Sequence, residues 1–222
     1  LTGSTDLSTV LGSKERKTCA TGFVKEQECA VQRFFGRPDF GVVRFMEYPT
    51  GLEVHDNVFA GPDAVIDAIR DHPEWRRSPV GTSPTESDIR TSESLFLPFI
   101  SYSHPESIHQ FAKSVANLLT DYAQRYAVQF SNFEPISFNR YLPGQDFRAH
   151  TDYFEGSNRV ISAIAYLNTV NGGGMTNFIY HGKEVDAVAG RVTVFPSNYL
   201  FAHAALPPTT DTKYSAAFWV RG

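Results

Sequence analysis

The chain has 222 residues, a formal charge of −4, and 14% aromatic and 20% charged side chains. That length suffices for one domain with a sizeable core plus an arm, or for two small domains, and the negative balance argues weakly against a nucleic-acid partner, which needs a basic face. Two cysteines are too few for a disulfide framework, and no apolar run reads as a membrane span or a signal segment, so a reducing, cytoplasmic setting is expected.

Residues 1–18 are polar and rich in Ser, Thr and Gly, the composition of a flexible leader. Cys19 and Cys29 are separated by nine intervening residues, which fits no common zinc site, so buried or idle thiols are the simpler reading. Stretches 42–46 and 52–59 read as strands. Gly61-Pro62-Asp63 opens a helix reaching about Asp71, with Val65, Ile66 and Ile69 on one side and His72-Pro73 as its stop. Stretch 76–87 holds Pro, Gly, Ser and Thr and reads as a loop, and 88–97 leads into a strand. Ser103-His-Pro-Glu106 has the pattern of a capping box. The helix predicted after it runs to about Tyr126. Ile108, Phe111, Val115, Leu118, Leu119 and Tyr122 recur on one face, suited to lie on a sheet.

After Phe130 short apolar runs alternate with Gly, Pro and Asn breaks. The runs are 136–141, 148–152, 160–168, 176–180, 184–188, 191–195 and 214–220, a density of short strands that implies a β-sandwich or jelly roll. The helix needs this sheet to cover its apolar face, so no boundary separates the two.

His150 and Asp152 are the chemical focus. On a strand, residues two apart share a face about 6–7 Å apart along the chain. An imidazole and a carboxylate so placed can take adjacent positions on one metal ion. A further histidine would complete a facial triad with open positions, the arrangement of non-haem iron(II) oxygenases. His203, following an apolar run, is the candidate. Taken singly, each feature has a plainer explanation. A His-x-Asp pair is short and is better read as a hydrogen-bonded or surface pair, His203 as structural, Lys213 as a surface residue, and Asn171-Gly-Gly-Gly174 as a turn.

Order and spacing together are more specific. Tyr141-x-x-Gly144, His150-x-Asp152, Arg159, Tyr166-Leu-Asn168, Gly173-Gly-x-Thr176-x-Phe178, Gly190 with Phe195, His203, Lys213 and Trp219 follow one another as in the iron(II)/2-oxoglutarate-dependent dioxygenases. The series most resembles the prolyl 4-hydroxylases. Upstream, Arg90-Thr-Ser92 and Glu134-Pro-Ile-Ser-Phe-Asn-Arg-Tyr141 resemble that family's lead-in segments. The resemblance covers about residues 50–222. Two positions depart from it: Met175, where a polar residue is frequent, and Asp211, where Gly is frequent.

The resemblance implies an α+β fold with a double-stranded β-helix (jelly-roll) core and supporting N-terminal helices over 46–222, preceded by an extension over 1–45. It implies that His150, Asp152 and His203 hold iron(II). It assigns Lys213 and Tyr166 to the 5-carboxylate of 2-oxoglutarate, with Thr176 beside them. Arg159 and Tyr141 fall near the substrate, and Trp219 on the pocket wall. 2-Oxoglutarate and O2 are the implied co-substrates, with ascorbate supporting activity. The implied reaction is hydroxylation of a prolyl residue in a peptide or protein, with release of succinate and carbon dioxide. A hydroxylase of a free amino acid or other small molecule would keep the same triad, and a non-catalytic binding module would have lost a ligand. The 76–87 loop, able to fold over an extended chain, favours a peptide. The expected assembly is a monomer or weak dimer, with no membrane and no nucleic-acid partner.

Overall fold

Alternation along the strands from Ile136 onward sets the architecture. In β5 (Ile136–Tyr141), Ile136 and Phe138 turn to one side, and Asn139 and Tyr141 are displayed at alternating positions beyond them. The apolar set joins Leu95, Ala163, Val194 and Phe218 in the main core. The structure is a computed structural model and describes residues 51–79 and 88–222, all within the unit Arg44–Gly222. The leader, the two cysteines, the strand expected at 42–46 and residues 80–87 of the expected loop lie outside the described residues.

In chain order the remaining strands are β1 (Glu53–His55), β2 (Arg76–Arg77), β3 (Glu93–Leu97), β4 (Asn132–Phe133), β6 (Phe147–His150), β7 (Arg159–Tyr166), β8 (Thr176–Phe178), β9 (Lys183–Val185), β10 (Val192–Pro196), β11 (His203–Ala205) and β12 (Lys213–Arg221). Among the described residues they form two sheets. The larger runs β1-β10-β7-β12-β5-β3-β2, with β4 on β12, and the smaller runs β6-β11-β8-β9. All pairings are antiparallel. This is the α+β jelly roll expected from the strand spacing.

Among the described residues, two helices cover the outer face of the larger sheet. Helix α1 (Pro62–Ile69) begins after Gly61, whose φ of 62° suits a residue without Cβ, and Pro62 supplies a preset φ at the first turn. Helix α2 (Glu106–Arg125) buries Ile108, Phe111, Val115, Leu119 and Tyr122, the face read from its periodicity. Phe111 meets Phe59, Phe138 and Phe218 ring to ring. Leu118 is only partly buried at the edge of this cluster.

Several local expectations are corrected. Ser103 is not the cap of α2. The helix begins at Glu106 with Pro105 in the cap position and no side-chain cap bond. Ser103 instead bonds Ser101, and Glu106 accepts from Gln110 one turn on. The extended ψ of 152° at Pro105 moves the start two residues past the position a Ser103 cap requires. Arg76 and Arg77, read as loop, pair with Ser94 and Glu93 at the sheet edge. The strand expected over 52–59 is confined to Glu53–His55, the residues that β10 pairs. The strand expected over 148–152 runs Phe147–His150 and stops before Asp152.

The triple glycine has a packing reason. Gly173 has φ 68° and forms an isolated bridge with Pro208, so close that a Cβ would collide with the Pro207 carbonyl. This close approach lays the β7–β8 connection against the turn that leads into Lys213.

Candidate active site

His150 ends β6 and His203 begins β11, and the antiparallel register sets them directly opposite each other. Asp152 follows β6 by two residues. Its two carboxylate oxygens lie 3.9 Å from Nε2 of His150 and 3.9 Å from Nε2 of His203. One donor atom from each of the three lies within 4.8 Å of the others. The structure therefore brings together the three residues that the sequence singled out, although Asp152 reaches its place from a turn rather than from the strand.

Backbone carbonyls orient both imidazoles. Nδ1 of His150 donates to the Arg148 carbonyl at 2.9 Å, and Nδ1 of His203 donates to the Phe201 carbonyl at 3.0 Å. A carbonyl only accepts, so each neutral ring carries its proton on Nδ1 and turns the Nε2 lone pair toward Asp152. Burial, followed by the adjacent His203, pushes His150 down to about 3, which keeps its ring neutral and able to ligate. Burial pushes the Asp152 carboxyl up, but the two imidazoles, Ser162 and Arg159 outweigh it and hold it below its ordinary range.

Two neutral nitrogens and one carboxylate fit a borderline divalent ion such as iron(II). A pocket of about 480 Å³, counted with its open mouth, lies between the sheets beside this cluster. Its lining also includes Asn139, Tyr141, Thr176, Lys213 and Trp219.

Of the two cations that line the pocket, Arg90 and Lys213, the more deeply buried is Lys213, at 1% exposure. The β12–β5 register sets it opposite Tyr141, and its Nζ lies 5.3 Å from the Tyr141 ring centroid and 5.4 Å from that of Tyr166. Among the described residues it forms no ion pair, and burial alone pushes it down to about 7. A buried ammonium facing a cavity between two phenol rings suits a carboxylate entering from outside.

Tyr166 is fully buried and does not line the pocket. Its hydroxyl donates to Thr176 Oγ1 at 2.7 Å, and burial pushes it up to about 12. The Thr176 hydroxyl, accepting from Tyr166, keeps its own proton for a pocket ligand, while Tyr141 lines the pocket directly. Arg159 is likewise set back from the cavity. It forms a bidentate pair with Glu134 at 3.0 and 2.6 Å, donates to the Asp152 carbonyl at 3.2 Å, and lies 3.8 Å over the Trp219 ring. Nε1 of Trp219 is buried with no partner among the described residues.

Single-residue reasoning missed the polar and aromatic pocket groups Arg90, Asn139 and Phe147, and the apolar lining of Ile164, Ala205 and Ala217. Arg90 and Asn139 stood within the matched lead-in segments, but no spacing rule shows that a bridge to Phe147 and strand β5 carry them into the site. The departures at Met175 and Asp211 leave the strands intact, since β12 still begins at Lys213 and Met175 accepts a backbone bond from Leu206.

Comparison with known proteins agrees with this geometry. Residues 136–221 match the family model of the 2OG-Fe(II) oxygenase superfamily. Prolyl 4-hydroxylase 1 of Arabidopsis thaliana is 27% identical over 163 residues, covering 61% of this chain and 55% of that protein. A protein of Acanthamoeba polyphaga mimivirus, provisionally named prolyl 4-hydroxylase, is 26% identical over 159 residues, covering 63% and 61%. The chain thus spans less than two thirds of either curated relative. In structure it is similar to a Pseudomonas putida prolyl-4-hydroxylase, with TM-score 0.61, 24% identity, and coverage of 77% and 92%. It is also similar to a Trichoplax adhaerens prolyl hydroxylase solved with a hypoxia-inducible-factor peptide, with TM-score 0.68, 16% identity, and coverage of 77% and 83%.

Over residues 136–221 the chain is thus similar to the 2OG-Fe(II) oxygenase superfamily. It is prolyl 4-hydroxylase-like. No helix among the described residues is long and apolar enough to cross a membrane.

Proposed function

We propose that this protein is an iron(II)- and 2-oxoglutarate-dependent dioxygenase that hydroxylates a prolyl residue in a peptide or an exposed protein loop. The observation that carries the reading is the pairing of the His150–Asp152–His203 cluster with a buried, unneutralised Lys213 in one pocket. The cluster suits iron(II), and the lysine suits the distal carboxylate of 2-oxoglutarate. The bound metal and co-substrate supply the oxidising chemistry, with succinate and carbon dioxide as by-products.

The chain's own residues bind and aim. His150, Asp152 and His203 hold the metal through two neutral imidazoles and one carboxylate. Lys213 neutralises the 5-carboxylate, and the Thr176 hydroxyl, held by Tyr166, donates to it. Tyr141 lies beside the lysine and completes that end of the pocket. Arg159 acts through Asp152 and Trp219. Ascorbate supports turnover by keeping the metal ferrous. The protein works as a monomer or weak dimer in the cytoplasm, with residues 1–45 as an extension to the catalytic domain.

A peptide is favoured over a free amino acid by the Trichoplax adhaerens neighbour, which is solved with a peptide bound. The deciding experiment is anaerobic incubation with iron(II), 2-oxoglutarate and a panel of Pro-rich peptides, followed by air and mass spectrometry. Gain of one oxygen atom on a prolyl residue, with stoichiometric succinate, supports the reading. Oxidation of free L-proline with no peptide accepted replaces it with the small-molecule alternative.

A further inference from the structure

His150 does not stand alone on β6. Its ring lies on that of Phe147, with centroids 3.5 Å apart and an interplanar angle of 15°. Residues three apart on a regular strand point to opposite faces. Here they share a face because the pairing slips. His203 faces His150 and Ala205 faces Phe147, so three steps along β6 match two along β11. Such a bulge re-aims a side chain.

The other face of Phe147 is occupied as well. The guanidinium carbon of Arg90 lies 4.5 Å from the ring centroid. One phenyl face cannot hold both flat groups at these distances, so guanidinium, phenyl and imidazole form a three-layer stack. Arg90 and Phe147 are brought together by an isolated antiparallel bridge between their backbones. Thr91 and Ile89, on either side of Arg90, bond the backbone at Asp146 and Arg148.

Arg90 is anchored in turn. It is 8% exposed and donates to Ser92 at 3.2 Å, Ser94 at 3.2 Å, Asn139 at 2.6 Å and the Pro79 carbonyl at 3.4 Å. Ser78 ties Ser92 and Ser94 together from beneath. None of these partners is a carboxylate. The side chain is fixed by neutral acceptors, and its planar group is spent on the aromatic ring.

We propose that Arg90 and Phe147 are positioning residues that set the plane of the His150 imidazole, and hence the direction of its Nε2, through this stack. The Arg148 carbonyl fixes one ring atom of His150 but leaves the ring free to rock about that bond. Phe147 closes that freedom from one side. On the other, His203 touches at 4.4 Å and 56°, too tilted to define the plane. The inference rests on the metal-site reading above, and it concerns how one ligand of that site is held.

The test uses the full chain, stripped of metal, as wild type, Phe147→Leu, Phe147→Tyr and Arg90→Lys, with thermal melting as a check on folding. Manganese(II) is titrated and the free ion followed by electron paramagnetic resonance. The His150 imidazole is followed by NMR in the metal-free protein. Phe147→Leu and Arg90→Lys are expected to weaken manganese(II) binding about ten- to a hundredfold, the range for lost outer-shell support of a ligand. The His150 ring protons should lose their upfield aromatic shift in Phe147→Leu, while those of His203 hold. Phe147→Tyr, which keeps the ring, should restore both.

Wild-type affinity in Phe147→Leu and Arg90→Lys, or unshifted His150 signals, overturns the proposal. If Phe147→Leu does not fold, Arg90→Lys decides, since it keeps the charge and loses the flat group. A wild type that binds no manganese(II) refutes the metal reading, and the metal-free NMR comparison then still judges the stack by itself.

Discussion

His150 and His203 stand directly opposite each other on β6 and β11, with ring centroids 4.4 Å apart, and each donates its Nδ1 proton to the carbonyl two residues before it. The two strands therefore repeat one local device. In each case the chain's own backbone selects the tautomer and leaves Nε2 facing Asp152. The site is preorganised by the smaller sheet before any ligand arrives.

Asp152 is the one anionic donor in this cluster. Asp152→Ala should abolish tight manganese(II) or iron(II) binding, and with it 2-oxoglutarate decarboxylation. Asp152→Glu should fail too, because one added methylene shifts the carboxylate by about 1 Å or more, beyond what positioned chemistry tolerates. Succinate release near the wild-type rate from Asp152→Ala would remove the assignment.

Lys213 should govern the co-substrate. Deleting one partner of a buried charge pair costs about 3–5 kcal/mol. Lys213→Ala should therefore raise the 2-oxoglutarate KM by roughly two to four decades, with metal affinity little changed. Lys213→Arg should recover part of this, limited by the broader guanidinium. An unchanged KM in Lys213→Ala would mean that the lysine does not meet the carboxylate.

Burial lowers Lys213 from an ordinary 10.5 to about 7, and this predicts two pH effects. Between about pH 7 and 10.5 the unfolded chain binds more protons at this group than the folded one, so its contribution to stability rises with pH across that window. Below pH 7 the full cost of the buried charge is present. Lys213→Met should accordingly stabilise the ligand-free protein at neutral pH, by up to about 4 kcal/mol. Denaturant unfolding of both proteins at pH 6.5 and pH 9.5, roughly the two sides of that window, measures it, and a gap that fails to narrow with pH contradicts the assignment.

The second effect concerns binding. An anion beside the lysine favours its charged form, so 2-oxoglutarate should take up a proton on binding above about pH 7. Calorimetry in buffers of different ionisation enthalpy reads that uptake. Equal heats across buffers at pH 8, about one unit above the lysine's shifted value, would show that the lysine is charged already.

Glu134 and Arg159 form a partly buried bidentate pair that also holds the Asp152 carbonyl. Glu134→Gln should cost about 1.5–3 kcal/mol of stability, the range for a hydrogen bond to a charged group. It should also weaken metal binding less than Asp152→Ala does. Chemical denaturation and manganese(II) titration check the two parts separately. Stability unchanged from wild type would mean that the pair carries little of the load on this loop.

Much of this protein follows from local chemistry that a linear reading captures. Alternation at period two places Ile136, Phe138, Ala216 and Phe218 on one face, and period 3.6 gives α2 the matching stripe. The order of His150, Asp152, His203 and Lys213 along that framework marks the chemistry, because those residue types serve few common purposes at those intervals. The tertiary structure alone decides what depends on register and burial. The β6 bulge puts Phe147 and His150 on one face, where the simple alternation separates them. The bridge between Arg90 and Phe147 joins segments 57 positions apart (147 − 90). Lys213 reads as a surface residue until the β12–β5 pairing buries it against Tyr141. Tyr166 reads as a pocket residue until Thr176 is seen to stand in front of it. Residue order specifies which groups are available. Only long-range strand pairing specifies which of them share a face, and desolvation inside that pairing sets their charge.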